Sequence, residues 1–461
     1  MESATGGAAA VAIARLTQAF GQRIFTGEAV RFQHGHTTSH IVNQPPDAVF
    51  APSTVEEIQK AVVICGDEGF PIIPFGAGTS LEAQLNAPCG GLSLDLGQMN
   101  EILQVNADDS DCVVEPGVTR NQLNAHLRSS GLFFPIDPGA DASLGGMAST
   151  RASGTNAVRY GTMKQNVLAM KVVLPNGELV TVGSRARKSS AGYDLSSLFV
   201  GAEGTLGVIA ELTLRVYGLP EKIVSGTCNF PTIESAVRTV IETIQLGLPV
   251  ARIELMDPLA LHAVNLHSGL GLAEKPTLFF EFHGSPNAVD EQVAVFDTLQ
   301  RDNGGGDLIT ADRLEDRDRL WHARHNLYFA FPHLRRNARG IPTDACVPIS
   351  RLADCIGETQ ADIAESRLLA PVVGHVGDGN FHLMVLVDPE DAEEMARATD
   401  AVDRLAERAI RMGGTCTGEH GIGQGKRRFM PLEHGAAVDL MAVVKRAVDP
   451  GNVMNPGKIF P

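Results

Sequence analysis

The residue types best suited to catalysis stand in a short glycine-rich stretch, residues 374–382, with the sequence GHVGDGNFH. Apolar residues flank it on both sides, and Asp378-Gly379 is a strong signal of a two-residue hairpin turn. A turn centred there would place His375 opposite His382. Directly opposed residues on an antiparallel pair lie about 5 Å apart. We therefore expect the two imidazoles to be able to chelate one divalent ion.

A second glycine-rich stretch, Gly418-Glu419-His420-Gly421, follows some forty residues later. Glu419 would add an oxygen ligand to the histidine pair and give a His₂Glu set with the open position that a catalytic metal needs. Such a set accepts zinc or manganese. Histidine pairs on hairpins are more often surface residues than ligands, and the second stretch is what favours ligation. The same set would also suit a flavin-free metal-dependent hydrolase, so that alternative stays open.

Residues 74–81, PFGAGTSL, follow a run typical of a strand and would present several successive backbone N–H groups. Such nests bind pyrophosphate without net positive charge. The stretch is neither a Rossmann fingerprint nor a Walker A loop, because Leu81 stands at the last glycine position and no Gly-Lys-Ser/Thr follows. A plain turn, in a solute-binding or structural protein, would explain this loop alone. Four further loops of small residues favour a long cofactor that carries phosphates: residues 138–149, 154–155, 160–162 and 201–207.

Length and composition limit the class of protein. The chain has 461 residues, 44% of them hydrophobic and 20% charged, which predicts two or three compact domains. The net charge of −16 argues against nucleic acid and anionic membranes as partners, so an anionic substrate needs a local cationic site. The seven scattered cysteines favour free thiols in a reducing compartment. No apolar run reaches the length of a membrane span, and we expect a cytoplasmic protein.

The pattern of elements predicts an α+β protein with many hairpins. Short β-rich runs alternate with helices from about residue 47 onwards, and the glycine density drops after Leu219. We expect a cofactor domain over residues 1–219 with its core at 45–219. A smaller cap domain with the metal hairpin would span residues 220–412. A glycine-rich segment, residues 413–461, would return to line the same site.

Taken together, these loops resemble the FAD-binding domain of the vanillyl-alcohol-oxidase-type (PCMH-type) flavoproteins. From about residue 45 the chain resembles the D-lactate dehydrogenase branch, whose relatives include glycolate oxidase flavoprotein subunits and D-2-hydroxyglutarate dehydrogenase. The resemblance implies an FAD-binding domain with two α+β subdomains and an antiparallel-sheet cap. It rests on the Gly76 loop, residues 138–148 and 201–207, the two histidine motifs, and Asn455-Pro456-Gly457-Lys458.

The resemblance also implies which residues line FAD. No histidine occurs in residues 76–85, so the flavin is expected to be held without a covalent bond to that loop. The pyrophosphate is expected at Pro74, Phe75, Gly76, Ala77, Gly78, Thr79 and Ser80, and the rest of the cofactor at Pro138, Gly139, Ser143, Gly145, Gly146, Ser149, Gly154, Thr155, Glu203, Gly204, Ile209 and Asn455.

The implied reaction oxidises a D-2-hydroxy acid to the 2-oxo acid, with hydride passing to flavin N5. A metal on His375, His382 and Glu419 would lower the pKa of the substrate hydroxyl. If residues 418–421 are extended, neighbouring side chains point to opposite sides, so Glu419 would serve the metal and His420 would bind substrate as the base. Arg324 matches the position of the family's substrate arginine, and its guanidinium suits a carboxylate.

The substrate class is expected from two departures from the hydroxyglutarate-type relatives. Pro342 replaces a lysine and Met384 replaces an asparagine, which favours D-lactate or another aliphatic D-2-hydroxy monocarboxylate. Glycolate or D-2-hydroxyglutarate remains the alternative. The electron acceptor stays open among a cytochrome, a quinone, an electron-transfer flavoprotein and dioxygen, and a homodimer is compatible with the sequence.

Overall fold

The computed structural model describes residues 2–36 and 40–461, with side chains described for all of these except residues 2–6 and 325. The chain divides into two compact units. Unit 1 comprises residues 1–153, 161–219 and 419–461, and unit 2 comprises residues 154–160 and 220–418. The division after residue 219 coincides with the predicted boundary. The return to unit 1 occurs after residue 418, six residues later than the sequence predicts, and residues 154–160 belong to unit 2.

One half of unit 1 is a four-stranded sheet with the order β1-β2-β4-β3, in which β2, β4 and β3 run parallel. Its core includes Leu16 and Ile58, which are fully buried on two helices, Glu2–Phe20 and Val55–Asp67. The second helix begins after Thr54, because the Thr54 side chain accepts a hydrogen bond from the Glu57 N–H. The strands are β1 (Ile24–Phe25), β2 (Ala48–Phe50), β3 (Ile72–Phe75) and β4 (Leu92–Asp95).

The other half of unit 1 is a five-stranded antiparallel sheet with the order β5-β6-β10-β8-β9. The helix Leu144–Thr150 packs against β10 of this sheet, and two short strands, β7 and β11, pair with each other in a separate two-stranded sheet. The strands are β5 (Ile102–Asn106), β6 (Asp111–Val114), β7 (Leu132–Phe133), β8 (Val167–Val173), β9 (Leu179–Gly183), β10 (Val208–Arg215) and β11 (Tyr217–Gly218).

Unit 2 is built on an antiparallel sheet of eight strands in the order β15-β12-β14-β13-β18-β19-β16, with β17 paired to β19. Side chains along β13 and β14 alternate between the two faces of this sheet, and both faces carry apolar residues, among them Met256 and Phe279 on the face of the two glutamates. Ile253 and Phe280 lie in the hydrophobic core, whereas Glu254 and Glu281 point to the opposite side. The strands are β12 (Lys222–Asn229), β13 (Val250–Met256), β14 (Thr277–Gly284), β15 (Ile309–Ala311), β16 (Arg339–Pro342), β17 (Ala345–Cys346), β18 (Val372–Gly374) and β19 (Asn380–Val387).

Fourteen further α-helices lie among the described residues. None of the helices in the described part of the chain is both long and apolar enough to cross a bilayer. Their bounds are Glu28–Gly35, Arg120–Leu127, Ala157–Tyr160, Met163–Asn166, Leu195–Phe199, Ile233–Gln245, Pro258–Ser268, Pro286–Asp302, Leu314–His325, Leu327–Ala330, Leu352–Glu365, Ala392–Arg411, Met430–His434 and Ala437–Val448.

The strands β18 and β19 form a hairpin that carries His375 and His382, which we call the histidine hairpin. Its predicted register is wrong by two residues. His382 lies opposite Val373, not opposite His375, in the pair of β18 and β19. The chain reverses through a 3₁₀ turn over Val376–Asp378, with Gly379 in the left-handed region at a φ of 75°. Val376 is fully buried, so the turn is drawn into the core and takes more residues than a two-residue hairpin loop would. A shift of two keeps both histidines on the same face of the sheet.

Candidate active site

The two motif histidines lie side by side in unit 2. The ring centroids of His375 and His382 are 5.3 Å apart, with the rings nearly perpendicular at 81°. One ring nitrogen of each lies within 4.8 Å of one ring nitrogen of the other. Only 8% of the His375 surface is exposed. The prediction that the two imidazoles come together is met by the geometry, although the register that brings them together differs from the predicted one.

Each of the two imidazoles is held through its own Nδ1 atom. His375 Nδ1 lies 2.6 Å from Glu254 Oε1, and His382 Nδ1 lies 2.9 Å from the carbonyl oxygen of Thr343. An ionised carboxylate and a carbonyl oxygen can only accept hydrogen bonds, so each Nδ1 must carry the hydrogen. In a neutral imidazole the lone pair then lies on Nε2, which is the form that a metal ion requires.

Glu254 also binds the predicted substrate arginine. Its Oε2 accepts from Nε of Arg324 at 2.9 Å and lies 2.9 Å from Nη2. The Glu254 side chain is fully buried and that of Arg324 is 13% exposed. Burial raises the pKa of the Glu254 carboxyl, but the electrostatic interactions and hydrogen bonds with His375 and Arg324 outweigh burial, so the pKa lies below its ordinary value.

Glu254 was not predicted from the sequence. The available signal was a lone carboxylate within the apolar run Ile253-Glu254-Leu255-Met256, because a charged group inside a buried strand needs a partner. The same signal marks Glu281 in the run Phe280-Glu281-Phe282.

Glu281 is the centre of a second buried polar cluster, on β14 next to β13. It accepts from Ser225 Oγ at 2.6 Å and from the indole N–H of Trp321 at 2.7 Å. Its other oxygen lies 2.7 Å from Nε2 of His283 and 3.6 Å from Nε of Arg252. Burial raises its pKa, but the charge of Arg252 and the hydrogen bonds lower the pKa to about 2.

Residues 415–418 are held against the histidine hairpin within unit 2 by hydrogen bonds and close packing. Asp344 accepts from Asn380 Nδ2 and from the Thr417 hydroxyl, both at 2.7 Å, and lies 3.8 Å from Nδ1 of His382. A Cβ atom at Gly418 would overlap the Asn380 amide, so only glycine allows this close approach. Glu419 is the next residue and the first of the last segment of unit 1.

The Gly-Glu-His-Gly segment is bent and not extended, so the alternation expected from the sequence does not apply to it. Glu419 Oε1 and His420 Nε2 lie 3.8 Å apart, which places the two side chains on the same side. The carbonyl oxygen of His420 accepts from Nε2 of Gln84 at 2.8 Å. The backbone that carries His420 is therefore held from within unit 1.

Glu203 holds the residues that follow His420. Its two carboxylate oxygens accept from the N–H groups of Ile422 at 2.6 Å and Gly423 at 2.8 Å. Burial is the main reason that the pKa of Glu203 is raised to about 7, with a smaller contribution from the charge of Glu82. Burial likewise lowers the pKa of Lys458 to about 8. Glu203 thus contacts the segment after His420.

The glycine loop after β3 has the features of a phosphate cradle. Gly78 adopts a φ of 73°, and a Cβ atom at Gly76 would overlap the Ser143 hydroxyl. The buried hydroxyls of Ser80 and Ser143 have no hydrogen-bond partner among the described residues. Within the same part of the chain, no acceptor is found for the backbone N–H groups of residues 77–80. Several unsatisfied donors around one glycine loop fit a bound pyrophosphate.

The other residues expected to line the cofactor are distributed over both units. Gly154 and Thr155 belong to unit 2, and the others belong to unit 1. Gly145 packs on Pro116 and Gly204 packs on Pro74, in each case too closely for a side chain. Asn455 is buried, and its amide donates to the carbonyl oxygen of Glu203 at 2.7 Å. The remaining members in unit 1 are Phe75, Ala77, Thr79, Pro138, Gly139, Gly146, Ser149 and Ile209.

Solved structures define the fold class. p-Cresol methylhydroxylase with substrate bound superposes with a TM-score of 0.79 at 17% identity, over 98% of this chain and 97% of that chain. 4-Ethylphenol oxidase from Gulosibacter chungangensis superposes with a TM-score of 0.79 at 18% identity, over 99% and 98% of the two chains. The chain therefore has the PCMH-type flavoprotein fold, and the predicted fold class is confirmed.

Sequence comparisons define the family. The model for the FAD binding domain matches residues 46–183, and the model for the C-terminal domain of FAD linked oxidases matches residues 219–459. The chain is 49% identical to the probable D-lactate dehydrogenase, mitochondrial, of Danio rerio, over 95% of this chain and 89% of that protein. It is 31% identical to glycolate oxidase subunit GlcD of Bacillus subtilis, over 97% and 96%. The chain belongs to the FAD-linked D-lactate dehydrogenase and glycolate oxidase flavoprotein family, as the resemblance implied, and is an oxidoreductase.

Proposed function

We propose that this protein oxidises D-lactate or a related aliphatic D-2-hydroxy monocarboxylate to the 2-oxo acid, using FAD and a divalent metal ion. The observation that carries the proposal is the pair of histidines whose Nδ1 atoms are both committed to acceptors, next to an arginine that shares Glu254 with one of them. Such a pair suits a metal ion, and the arginine suits the carboxylate of a hydroxy acid. The substrate follows the names of the relatives, among them D-lactate dehydrogenase [cytochrome] of Arabidopsis thaliana at 40% identity.

FAD is assigned to the cradle of glycine loops, with its pyrophosphate at residues 74–80. The unsatisfied hydroxyls of Ser80 and Ser143 support this placement. When bound, FAD supplies the hydride acceptor at N5. The residues of the loop do not react; their backbone N–H groups hold the phosphates and thereby fix the position of the ring.

The metal ion is assigned to His375, His382 and Glu419, with zinc or manganese as the candidates. Gly418 packs against Asn380 on the histidine hairpin, and Glu419 is the next residue along the chain. When bound, the ion acts as a Lewis acid on the substrate hydroxyl.

His420 is assigned as the base that takes the hydroxyl proton, and Arg324 as the residue that binds the substrate carboxylate. Glu254 accepts from Nε of Arg324 and lies 2.9 Å from Nη2, which leaves Nη1 to pair with the substrate. Gln84 fixes the backbone of His420, so that its imidazole is positioned before substrate arrives. Hydrogen bonding to the carboxylate orients C2 for the transfer of hydride.

The acceptor is proposed to be a cytochrome, since that word stands in the names of relatives such as the one from Arabidopsis thaliana. The names of both the Arabidopsis thaliana and Danio rerio relatives place those proteins in mitochondria. For this chain we keep the cytoplasmic placement and the homodimer as proposals. The seven free cysteines favour a reducing compartment, and cell fractionation with size-exclusion chromatography tests both.

A steady-state panel tests the proposed reaction. D-Lactate, L-lactate, glycolate and D-2-hydroxyglutarate are offered separately to the FAD-loaded protein with cytochrome c, a quinone analogue or dioxygen as acceptor. We expect the highest kcat/KM with D-lactate or a longer aliphatic D-2-hydroxy acid. Preference for glycolate or D-2-hydroxyglutarate would select the alternative, and an absence of turnover with every hydroxy acid would refute the proposal.

A further inference from the structure

We infer that Glu254 is a positioning residue that orients the metal-binding imidazole of His375 and the substrate-binding guanidinium of Arg324 at the same time. The inference rests on the proposed function, because it concerns how the groups that bind the metal ion and the substrate carboxylate are held in position relative to each other.

The burial of Glu254 requires both partners. Its side chain has no exposed surface, and an unpaired carboxylate in such a place is strongly unfavourable. The two oxygens divide between two residues: Oε1 meets Nδ1 of His375 at 2.6 Å, and Oε2 meets Arg324 at 2.9 Å. Removing either partner would leave buried charge without compensation.

The elements that carry the three groups make their arrangement rigid. Glu254 lies in the interior of β13, and its neighbour Leu255 is paired with Gly374, the residue before His375. Arg324 stands in the last turn of the helix Leu314–His325. A residue on a central strand has little freedom to move, so the carboxylate holds the side chains of His375 and Arg324 in fixed positions.

The Glu254 carboxylate acts on His375 and Arg324 and not on the substrate itself. A carboxylate on Nδ1–H fixes the imidazole tautomer and orientation and raises the basicity of Nε2, which strengthens metal binding. The same carboxylate keeps the guanidinium plane from rotating away from the substrate. Loss of Glu254 should therefore weaken metal binding and substrate binding together.

The experiment compares Glu254→Gln with Glu281→Gln. Both carboxylates are buried on adjacent strands, and each contacts one histidine and one arginine, but only Glu254 contacts a proposed ligand. Metal affinity is measured on the FAD-loaded proteins by competition with a zinc chelator, and KM and kcat are measured with D-lactate. We expect Glu254→Gln to weaken metal affinity about 10- to 100-fold and to raise KM, while Glu281→Gln keeps the wild-type metal affinity.

Failure of the inference and failure of the proposed function give different results in this experiment. Wild-type metal affinity in Glu254→Gln would overturn the inference, as would an equal loss in Glu281→Gln. A wild-type protein that binds no divalent metal would instead refute the metal part of the proposed function. If Glu254→Gln fails to retain flavin, Glu254→Asp decides: the shorter carboxylate cannot reach both partners, so weaker metal binding supports the inference and unchanged binding overturns it.

Discussion

Pro342 lies directly opposite Met384 in the antiparallel pair of β16 and β19. The two positions at which this chain departs from the hydroxyglutarate-type pattern are therefore neighbours in space. Met384 is 8% exposed, and its sulfur covers Gly340 so closely that a side chain there would overlap it. Under the proposed function, this apolar pair would offer no partner to a second substrate carboxylate.

Restoring the polar pair should change the substrate preference. We expect Pro342→Lys together with Met384→Asn to raise kcat/KM for D-2-hydroxyglutarate relative to D-lactate by at least about tenfold, which corresponds to about 1.4 kcal/mol. Each single variant serves as a control and should give less. Unchanged preference in a double variant that retains flavin would show that these two residues do not select the substrate.

His420→Ala should remove the base without removing cofactor or metal. We expect kcat to fall about 10²- to 10⁴-fold, the range typical of general-base catalysis, while the flavin absorbance and the metal content stay at wild-type levels. Rapid-mixing measurement of flavin reduction by D-lactate reads this step directly. A reduction rate close to that of the wild type would assign the base to another residue.

His382→Ala should abolish metal binding. The imidazole is one of three proposed ligands, and its loss leaves too few for a stable catalytic site. Metal analysis of the purified protein is expected to fall from about one ion per chain to a trace. His262→Ala is the matched control, because His262 pairs with Glu274 on the surface of unit 2 and should not affect metal content. An equal metal content in both variants would contradict the ligand assignment.

Glu203 should make stability depend on pH between its ordinary and folded pKa values, 4.5 and about 7. Within that window the folded protein keeps the proton that the unfolded chain releases, so stability falls as pH rises. The effect reaches about 3 kcal/mol from the size of the shift. Lys458 titrates above this window, at about 8.

Glu203→Gln removes this titration. Urea unfolding at pH 5 and at pH 7.5, with excess FAD present, should show that the variant gains stability relative to the wild type as pH rises. A constant difference between the two proteins at both pH values would mean that Glu203 does not titrate in this range.

The sequence predicted that His375 and His382 come together, but it did not predict the contacts that hold them. The types and spacing of His375 and His382 predicted a pair, and the pair is present because a register error of two residues leaves both on one face. The register itself depends on the burial of Val376, which draws the turn into the core. Local signals such as Asp-Gly carry no information about the tertiary packing of Val376.

Glu254 illustrates the other limit. It contacts His375 across 121 positions of the chain and Arg324 across 70. The first contact depends on the order of strands in the sheet and the second on the packing of the helix Leu314–His325. A single sequence marks such a residue only as a charge within an apolar strand. The fold class, by contrast, was implied by the resemblance of the glycine loops to those of the PCMH-type flavoproteins, and it is confirmed by the solved structures.

Anaerobic flavin reduction shows whether the oxidation of D-lactate needs the divalent metal ion. The purified FAD-loaded protein is mixed with D-lactate or L-lactate without oxygen, before and after removal of the divalent metal by a chelator, and the flavin absorbance is followed. We expect D-lactate to bleach the metal-loaded protein, L-lactate to leave it oxidised, and the metal-free protein to retain flavin but stay oxidised with either. Equally rapid bleaching by D-lactate after complete metal removal would contradict the account.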